Sequence, residues 1–237
     1  MRIFGSIEIG LGAVDRELKK IKGVILDVDG TLVDSNDAHV HSWVKAMQAF
    51  GYDVRFEQIR RFVGMGGDNL LPAAIGVHKD SDLGEQIAQR RQEIFKEEYL
   101  PTIQAFAGVK PLIERLQAND LKIAVASSGE QDEVQHLLSV SGIEDLVETQ
   151  TSSADVEKSK PNPDVVQAAL EKLALDPAQV LMLGDTPYDV QAAAKVGVGV
   201  IVLRCGGFSD RELQGAVAIY DSPEALLKDF EQSPLSA

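Results

Sequence analysis

Cysteine occurs once, at position 205, so the chain cannot close an internal disulfide, which fits a reducing compartment. Histidine is nearly as scarce, with four in 237 residues. No His/Cys cluster with zinc-ligand spacing occurs, which argues against a zinc centre. Basic residues are outnumbered, 23 against 37 acidic, for a net charge of −14. That balance argues against nucleic acid or an anionic membrane surface as the main partner, because both select basic patches. No apolar run approaches the length needed to cross a membrane. Residues 1–20 lack the apolar core and cleavage site of a signal peptide. The expected setting is therefore cytoplasmic. Residues 1–20 form an extension to which no role is assigned: a surface strand and helix turn, or a disordered segment.

What is present centres on residues 21–35. The β-branched run Val24-Ile25-Leu26 ends in Asp27, Val28, Asp29, Gly30 and Thr31. A short apolar run bounded by turn residues is a buried strand. Alternation along it turns Asp27 and Asp29 the same way. Two adjacent carboxylates repel and are costly to desolvate. Their uses are a hard divalent cation, an acid/base pair, or a nucleophile with a helper. Taken alone, Asp29-Gly30 is also a common hairpin turn.

From Asn36 to about Ala105 the pattern is helical throughout. Asn36 and Asp37 are candidate caps for a helix carrying Val40, Val44, Met47 and Phe50, with His39, Trp43 and Ala46 beside them. A glycine-rich loop follows at 63–69, then a charged helix from about Asp82 to Tyr99. Beyond Gly108, strands alternate with helices. Residues 121–126 are a strand ending in Ser127-Ser128-Gly129, with Ser128 and Gln131 as a capping box. A short strand is expected near 146–149. Asn162-Pro163-Asp164 has the form of a helix start. Val180–Leu183 is a strand ending in Gly184-Asp185, and Thr186 and Pro187 open the next helix. Val198–Leu203 is the last clear strand, and 223–231 a closing helix.

This alternation predicts an α/β fold, a doubly wound parallel sheet with right-handed crossovers. Residues 1–35 and 105–237 form the expected core, and 36–104 a smaller all-helical domain inserted after the first strand. Ligands of such folds bind beyond the carboxyl ends of the strands. Asp27, Asp29, Ser127, Asp185 and Asp189 should converge there. Asp27, Asp29 and Asp185 offer oxygen ligands suited to Mg²⁺, with Asp189 one helical turn further on. Ser127, with the N–H groups of Ser128 and Gly129, forms an anion site at a helix N-terminus. Lys160 could complete the charge balance around a phosphate. Together these groups describe phosphoryl transfer. Asp27 would attack phosphorus to give an aspartyl-phosphate, and Asp29 would act as acid, then base.

Four stretches resemble, in order and spacing, the motifs of the haloacid dehalogenase superfamily. They are Asp27 to Thr31, Ser127 after its strand, Lys160 in Ser159-Lys160-Pro161, and Gly184-Asp185 with Asp189. The helical insert resembles that superfamily's C1 cap, as in β-phosphoglucomutase and phosphoglycolate phosphatase. The resemblance implies a Rossmann-like core, Mg²⁺, nucleophile Asp27, and Asp29 as acid/base that also binds the metal through its carbonyl. It implies that Ser127 and Lys160 hold the phosphoryl group and that Asp185 binds the metal. Asp29 stands where the dehalogenases proper carry tyrosine and phosphonatases alanine, which argues for phosphate esters. His39 has the spacing of a substrate-positioning residue in relatives with this cap, or is structural beside Trp43. Gly66 and Gly67 lie in the expected substrate-specificity loop. Lys45, Arg55, Arg60 and Arg61 are the cap cations that would hold a second phosphate in a mutase. Cys205, in the stretch 204–207 after the last strand, lacks a base partner. The expected activity is a Mg²⁺-dependent phosphatase acting on a small phosphorylated metabolite, as monomer or weak homodimer. A β-phosphoglucomutase-like mutase and an idle phospho-ligand sensor are the alternatives.

Overall fold

A computed structural model describes residues 20–236. The expectation made for residues 1–20 lies, but for Lys20, outside them. Strand β1 (Gly23–Leu26) is buried along its whole length, as a parallel strand covered on both faces must be. Side chains along it alternate: Val24 and Leu26 enter one apolar cluster, and Ile25 the other.

Four helices follow: α1 (Asn36–Ala49), α2 (Phe56–Arg60), α3 (Gly67–Ile75) and α4 (Asp82–Ile94). The last continues as a π turn, Phe95–Tyr99. They bury their own apolar cluster, in which Val40, Trp43, Met47, Leu70 and Ile87 meet. The rest alternates: α5 (Val109–Ala118), β2 (Lys122–Ala126), α6 (Gln131–Val140), β3 (Thr149–Thr151) and α7 (Asp164–Leu173). Then come β4 (Val180–Gly184), α8 (Pro187–Lys195), β5 (Gly199–Leu203), β6 (Ala218–Tyr220) and α9 (Pro223–Lys228).

The strands form one parallel sheet in the order β3-β2-β1-β4-β5-β6. Leu112 and Leu116 of α5, Leu137 of α6 and Leu226 of α9 cover one face. Val166, Ala169 and Leu173 of α7 and Ala193 of α8 cover the other. The order reverses at β1, which pairs with β2 on one side and β4 on the other. A crevice therefore opens beyond the carboxyl end of β1, where such folds bind ligands.

Several local expectations are corrected. The third strand lies at 149–151, because Glu144–Leu146 is a 3₁₀ turn. The edge strand β6 is three half-buried residues and carries no alternating pattern to mark it. Ser128 does not cap α6, whose cap position is Glu130 without a side-chain bond. Asn162 does not cap α7 either: its amide donates to the Ser159 carbonyl at 3.1 Å, and the cap position is Pro163. In α8 the expected opening holds, with Thr186 and Asp189 forming a reciprocal capping box.

Ile25 is fully buried in the central strand, so Ile25→Ala should destabilise the protein by about 2–5 kcal/mol. Val217→Ala, at a residue 53% exposed, should change stability by less than about 0.5 kcal/mol. Urea unfolding midpoints of the two variants check the contrast.

Candidate active site

Asp27 follows β1 directly and its backbone N–H still donates to the Leu183 carbonyl of β4, 2.9 Å away. Asp185 follows β4, and Asp189 lies in the first turn of α8. All three are buried, and their carboxylate oxygens lie within 4.8 Å of one another. Lys160 reaches them from the segment before α7 with only 2% of its side chain exposed. Its ammonium donates to Asp27 Oδ1 and lies 2.8 Å from Asp189 Oδ1.

Each carboxylate is held by further donors. Thr31 Oγ1 donates to Asp27 Oδ2 at 3.1 Å and lies 3.4 Å from Asp185 Oδ1. Asn36 Nδ2 donates to Asp185 Oδ2 at 2.8 Å. Asp189 Oδ2 accepts from the Thr186 hydroxyl (2.7 Å) and N–H (3.0 Å). Gly30 has φ +76°, and a Cβ there would fall 2.0 Å from Asp185 Oδ2, so only glycine fits.

Three buried carboxylates face one ammonium. Burial first, against the pull of Lys160, and then the charges of Asp189 and Asp29 push the Asp27 carboxyl up to about 7. Burial, then Asp27 and Asp189, raise Asp185 well above its ordinary range. Burial alone would lower the Lys160 ammonium, but Asp189 and Asp27 outweigh it and hold it protonated. A surplus of hard oxygen donors over the single ammonium is what a divalent cation requires. The residues present therefore fit one.

The Asp29 side chain does not join this group, although Asp27 and Asp29 were expected to share a face. Strand β1 ends at Leu26, and the Gly30 turn swings Asp29 aside. Asp29 Oδ1 accepts from Ser35 Oγ at 2.6 Å and meets His39 Nε2 at 2.7 Å. Burial opposes its ionisation, but His39, Ser35 and Arg91 prevail and hold its carboxyl down at about 2. Arg91 of α4 bonds His39 Nδ1. Arg91 Nη1 lies 3.3 Å from Glu133 Oε2 of α6. The His39 ring stacks on Phe95, with centroids 4.4 Å apart, rather than on Trp43.

A cavity of about 300 Å³ opens beside Asp27, Asp29 and Lys160. Of the remaining predicted residues, Ser128, Gly129, His39, Gly66 and Gly67 line it. Gly66 is pressed against the core: a Cβ would sit 2.1 Å from Ser159 Oγ. Ser127 is buried at the end of β2, with its Oγ accepting from the Gly129 N–H at 3.0 Å. That N–H, expected to face an anion, is thus already engaged.

The four cap cations singled out in the sequence do not line the cavity. Lys45 pairs with Glu98, Arg60 with Asp37 and the Gly206 carbonyl, and Arg61 Nε donates to the Gln58 carbonyl. Arg55 is exposed. Besides Lys160, the cations that line it are Lys79 and Arg91. Thr31, Asn36, Arg91 and Glu133 were missed. Thr31 lies two residues after Asp29 in the same turn, a usable signal, whereas Asn36 opens the following helix. Arg91 and Glu133 lie in charged helices whose pattern is that of a solvated face, so nothing local marked them. Cys205 Sγ donates to the Gly30 carbonyl at 3.3 Å, and burial pushes its thiol up to about 12, which fits an unreactive cysteine.

Sheet order, crevice and carboxylate cluster define a doubly wound α/β protein equipped for a divalent cation. Residues 24–203 match the family model of haloacid dehalogenase-like hydrolases. The chain belongs to that family. The phosphoglycolate phosphatase of Rhodospirillum rubrum is 30% identical over 209 residues, covering 84% of this chain and 87% of its own. The pyrophosphatase PpaX of Bacillus pumilus is 28% identical over 185 residues, covering 76% and 83%. Among solved structures, a hydrolase from Pseudomonas syringae superposes with a TM-score of 0.83 at 27% identity, covering 90% of this chain and 98% of that one. No helix among the described residues is long and apolar enough to cross a membrane.

The raised Asp27 carboxyl has a consequence for stability without a cation. The unfolded group loses its proton near 3.8 and the folded one near 7. Between these values the folded state binds more protons, so stability falls as pH rises through that window. A divalent cation removes the penalty. Melting temperatures should therefore rise more on adding Mg²⁺ at pH 7.5 than at pH 5. An equal rise at both would contradict this assignment.

Proposed function

We propose that the protein is a Mg²⁺-dependent phosphatase of a small phosphorylated metabolite, working through an aspartyl-phosphate on Asp27. The observation that carries this reading is the buried Lys160 ammonium between Asp27 and Asp189, at the carboxyl end of the sheet. A lysine this deep among carboxylates costs desolvation that stability alone does not demand. Beside a nucleophilic carboxylate it can hold a phosphoryl oxygen instead. The chain's relatives include proteins named as phosphatases.

The Mg²⁺, held by Asp27, the Asp29 carbonyl, Asp185 and Asp189, would neutralise phosphoryl charge when bound. Lys160 and Thr31 orient the Asp27 carboxylate, one from each oxygen. An Asp27 oxygen forms the new bond to phosphorus as the ester oxygen leaves. Asp29, which must first take up a proton from solvent because the free site holds it ionised, gives that oxygen the proton. It then takes one from the water that cleaves the acyl-phosphate, returning Asp27 to its starting state. The structure's Asp29, ionised and held by His39, is in the state required for the second half. Residues 36–104 act as a cap that encloses the cavity over Asp27 and excludes bulk water during transfer. Ser127 helps hold the phosphoryl group. A mutase is not favoured: none of the four cap cations considered for a second phosphate faces the cavity, and of the two cap cations that do, Lys79 and Arg91, the arginine is already engaged by Glu133 and His39.

With p-nitrophenyl phosphate as substrate, phosphate release should need Mg²⁺ and stop with a chelator. Asp27→Asn should lower kcat by at least about a thousandfold. Turnover surviving that substitution would eliminate Asp27 as nucleophile. Binding of phosphate without any turnover would instead indicate a sensor.

A further inference from the structure

The charge balance of the cavity beyond Asp27 bears on which ester it admits, given the phosphatase reading above. At about 300 Å³ the cavity is at the small end for ligand sites. Beyond Asp27, Asp29 and Lys160, two further cations face it, Lys79 and Arg91, against three glutamates, Glu85, Glu130 and Glu133. Arg91 is already matched. One of its Nη atoms bonds His39 and the other lies 3.3 Å from Glu133 Oε2, with side-chain exposures of 12% for Arg91 and 1% for Glu133. Glu133 stands on α6 of the sheet side, so its charge is fixed beneath the guanidinium.

A second anion on the substrate would therefore meet a neutralised arginine and, at the cavity mouth, the exposed Glu85 and Glu130 against half-buried Lys79. Like charge at close range in a partly buried site disfavours such a ligand. Two groups at the same place are, however, unsatisfied: Glu133 Oε1, an acceptor, and Arg91 Nε, a donor, are buried with no hydrogen-bond partner. Buried polar groups left open are uncommon and call for a partner. A hydroxyl supplies both halves, donating to Glu133 and accepting from Arg91.

We propose that the substrate is the monophosphate ester of an uncharged, hydroxylated alcohol, a small polyol or sugar, and that Glu133 is the residue that rejects leaving groups carrying a carboxylate or a second phosphate. This departs from the phosphoglycolate in the name of the Rhodospirillum rubrum relative.

The test compares esters matched in size that differ in one charge: 2-hydroxyethyl phosphate with phosphoglycolate, and glycerol 3-phosphate with 3-phosphoglycerate. kcat/KM is measured with Mg²⁺ for the wild type and Glu133→Gln, beside p-nitrophenyl phosphate. The wild type should prefer the hydroxyl member of each pair at least tenfold. Glu133→Gln should shrink that preference tenfold or more, mainly by lowering KM for the acidic member. Equal or better turnover of the acidic members by the wild type overturns the proposal, and needs no variant. So does a preference unchanged in a Glu133→Gln protein with normal melting, or cleavage of the aryl phosphate alone. Failure to release phosphate from any ester, the aryl phosphate included, would instead remove the phosphatase reading beneath it.

Discussion

Three carboxylates and one ammonium, all withdrawn from water, set the terms for this molecule. Asp27 follows β1, and Asp185 and Asp189 lie where β4 passes into α8; repulsion among the three would open the structure if nothing opposed it. Lys160 opposes part of it, and its side chain is among the largest fully enclosed in the protein. Hydrogen bonds from Thr31, Asn36 and Thr186 hold the oxygens in place. The remaining negative charge is the driving force for taking up a cation. Stability and metal binding are thus opposite demands on the same four side chains, which is common where a site is prepared for charge it does not itself carry.

The helical segment between β1 and β2 is tied to that arrangement at the lysine. Asp68 Oδ2 accepts from the Ser159 N–H at 3.0 Å, and Asn69 Nδ2 donates to the carbonyls of Ser159 (3.0 Å) and Lys160 (3.2 Å). From the other side, Arg91 reaches His39 and Glu133 and so joins α4 to α1 and α6. The two carboxylates that follow β1 therefore answer to different neighbours. Asp27 belongs to the sheet and the lysine, Asp29 to the helices. A spacing of two residues in the chain has become two electrostatic environments, with one carboxyl near 7 and the other near 2. Divergent environments of this kind separate the roles of chemically identical groups.

Much of this was legible in the chain itself. Apolar runs such as Val24–Leu26 and Ile123–Ala126 are strands because burial on both faces leaves no polar alternation, and their alternation with helices requires a parallel sheet. That topology by itself predicts that Asp27, Asp29, Ser127, Asp185 and Asp189 converge, because functional residues of such sheets collect at the strands' carboxyl ends; the Asp29 side chain departs from it, and Lys160 joins from a segment that follows no strand directly. What remained illegible were short or context-bound features. The three-residue strand β6 has too few residues for a period. Ser128 and Asn162 have capping chemistry, but their neighbours engage the backbone differently.

The sequence by itself determined the sheet, the crevice and the set of acidic groups at its floor, because those depend on periodicity and chain order. The tertiary structure alone decided which cations of the helical segment face the site. Lys45, Arg55, Arg60 and Arg61 have the right charge but lie at the surface or against the core rim, whereas Arg91 and Lys79 face the cavity. It also decided that Asp29 turns from Asp27 toward His39, and that Glu133 meets Arg91 across the cavity. Charge is a property of composition. Whether two charges meet depends on helix rotation and packing between segments more than forty residues apart, and no local pattern encodes that.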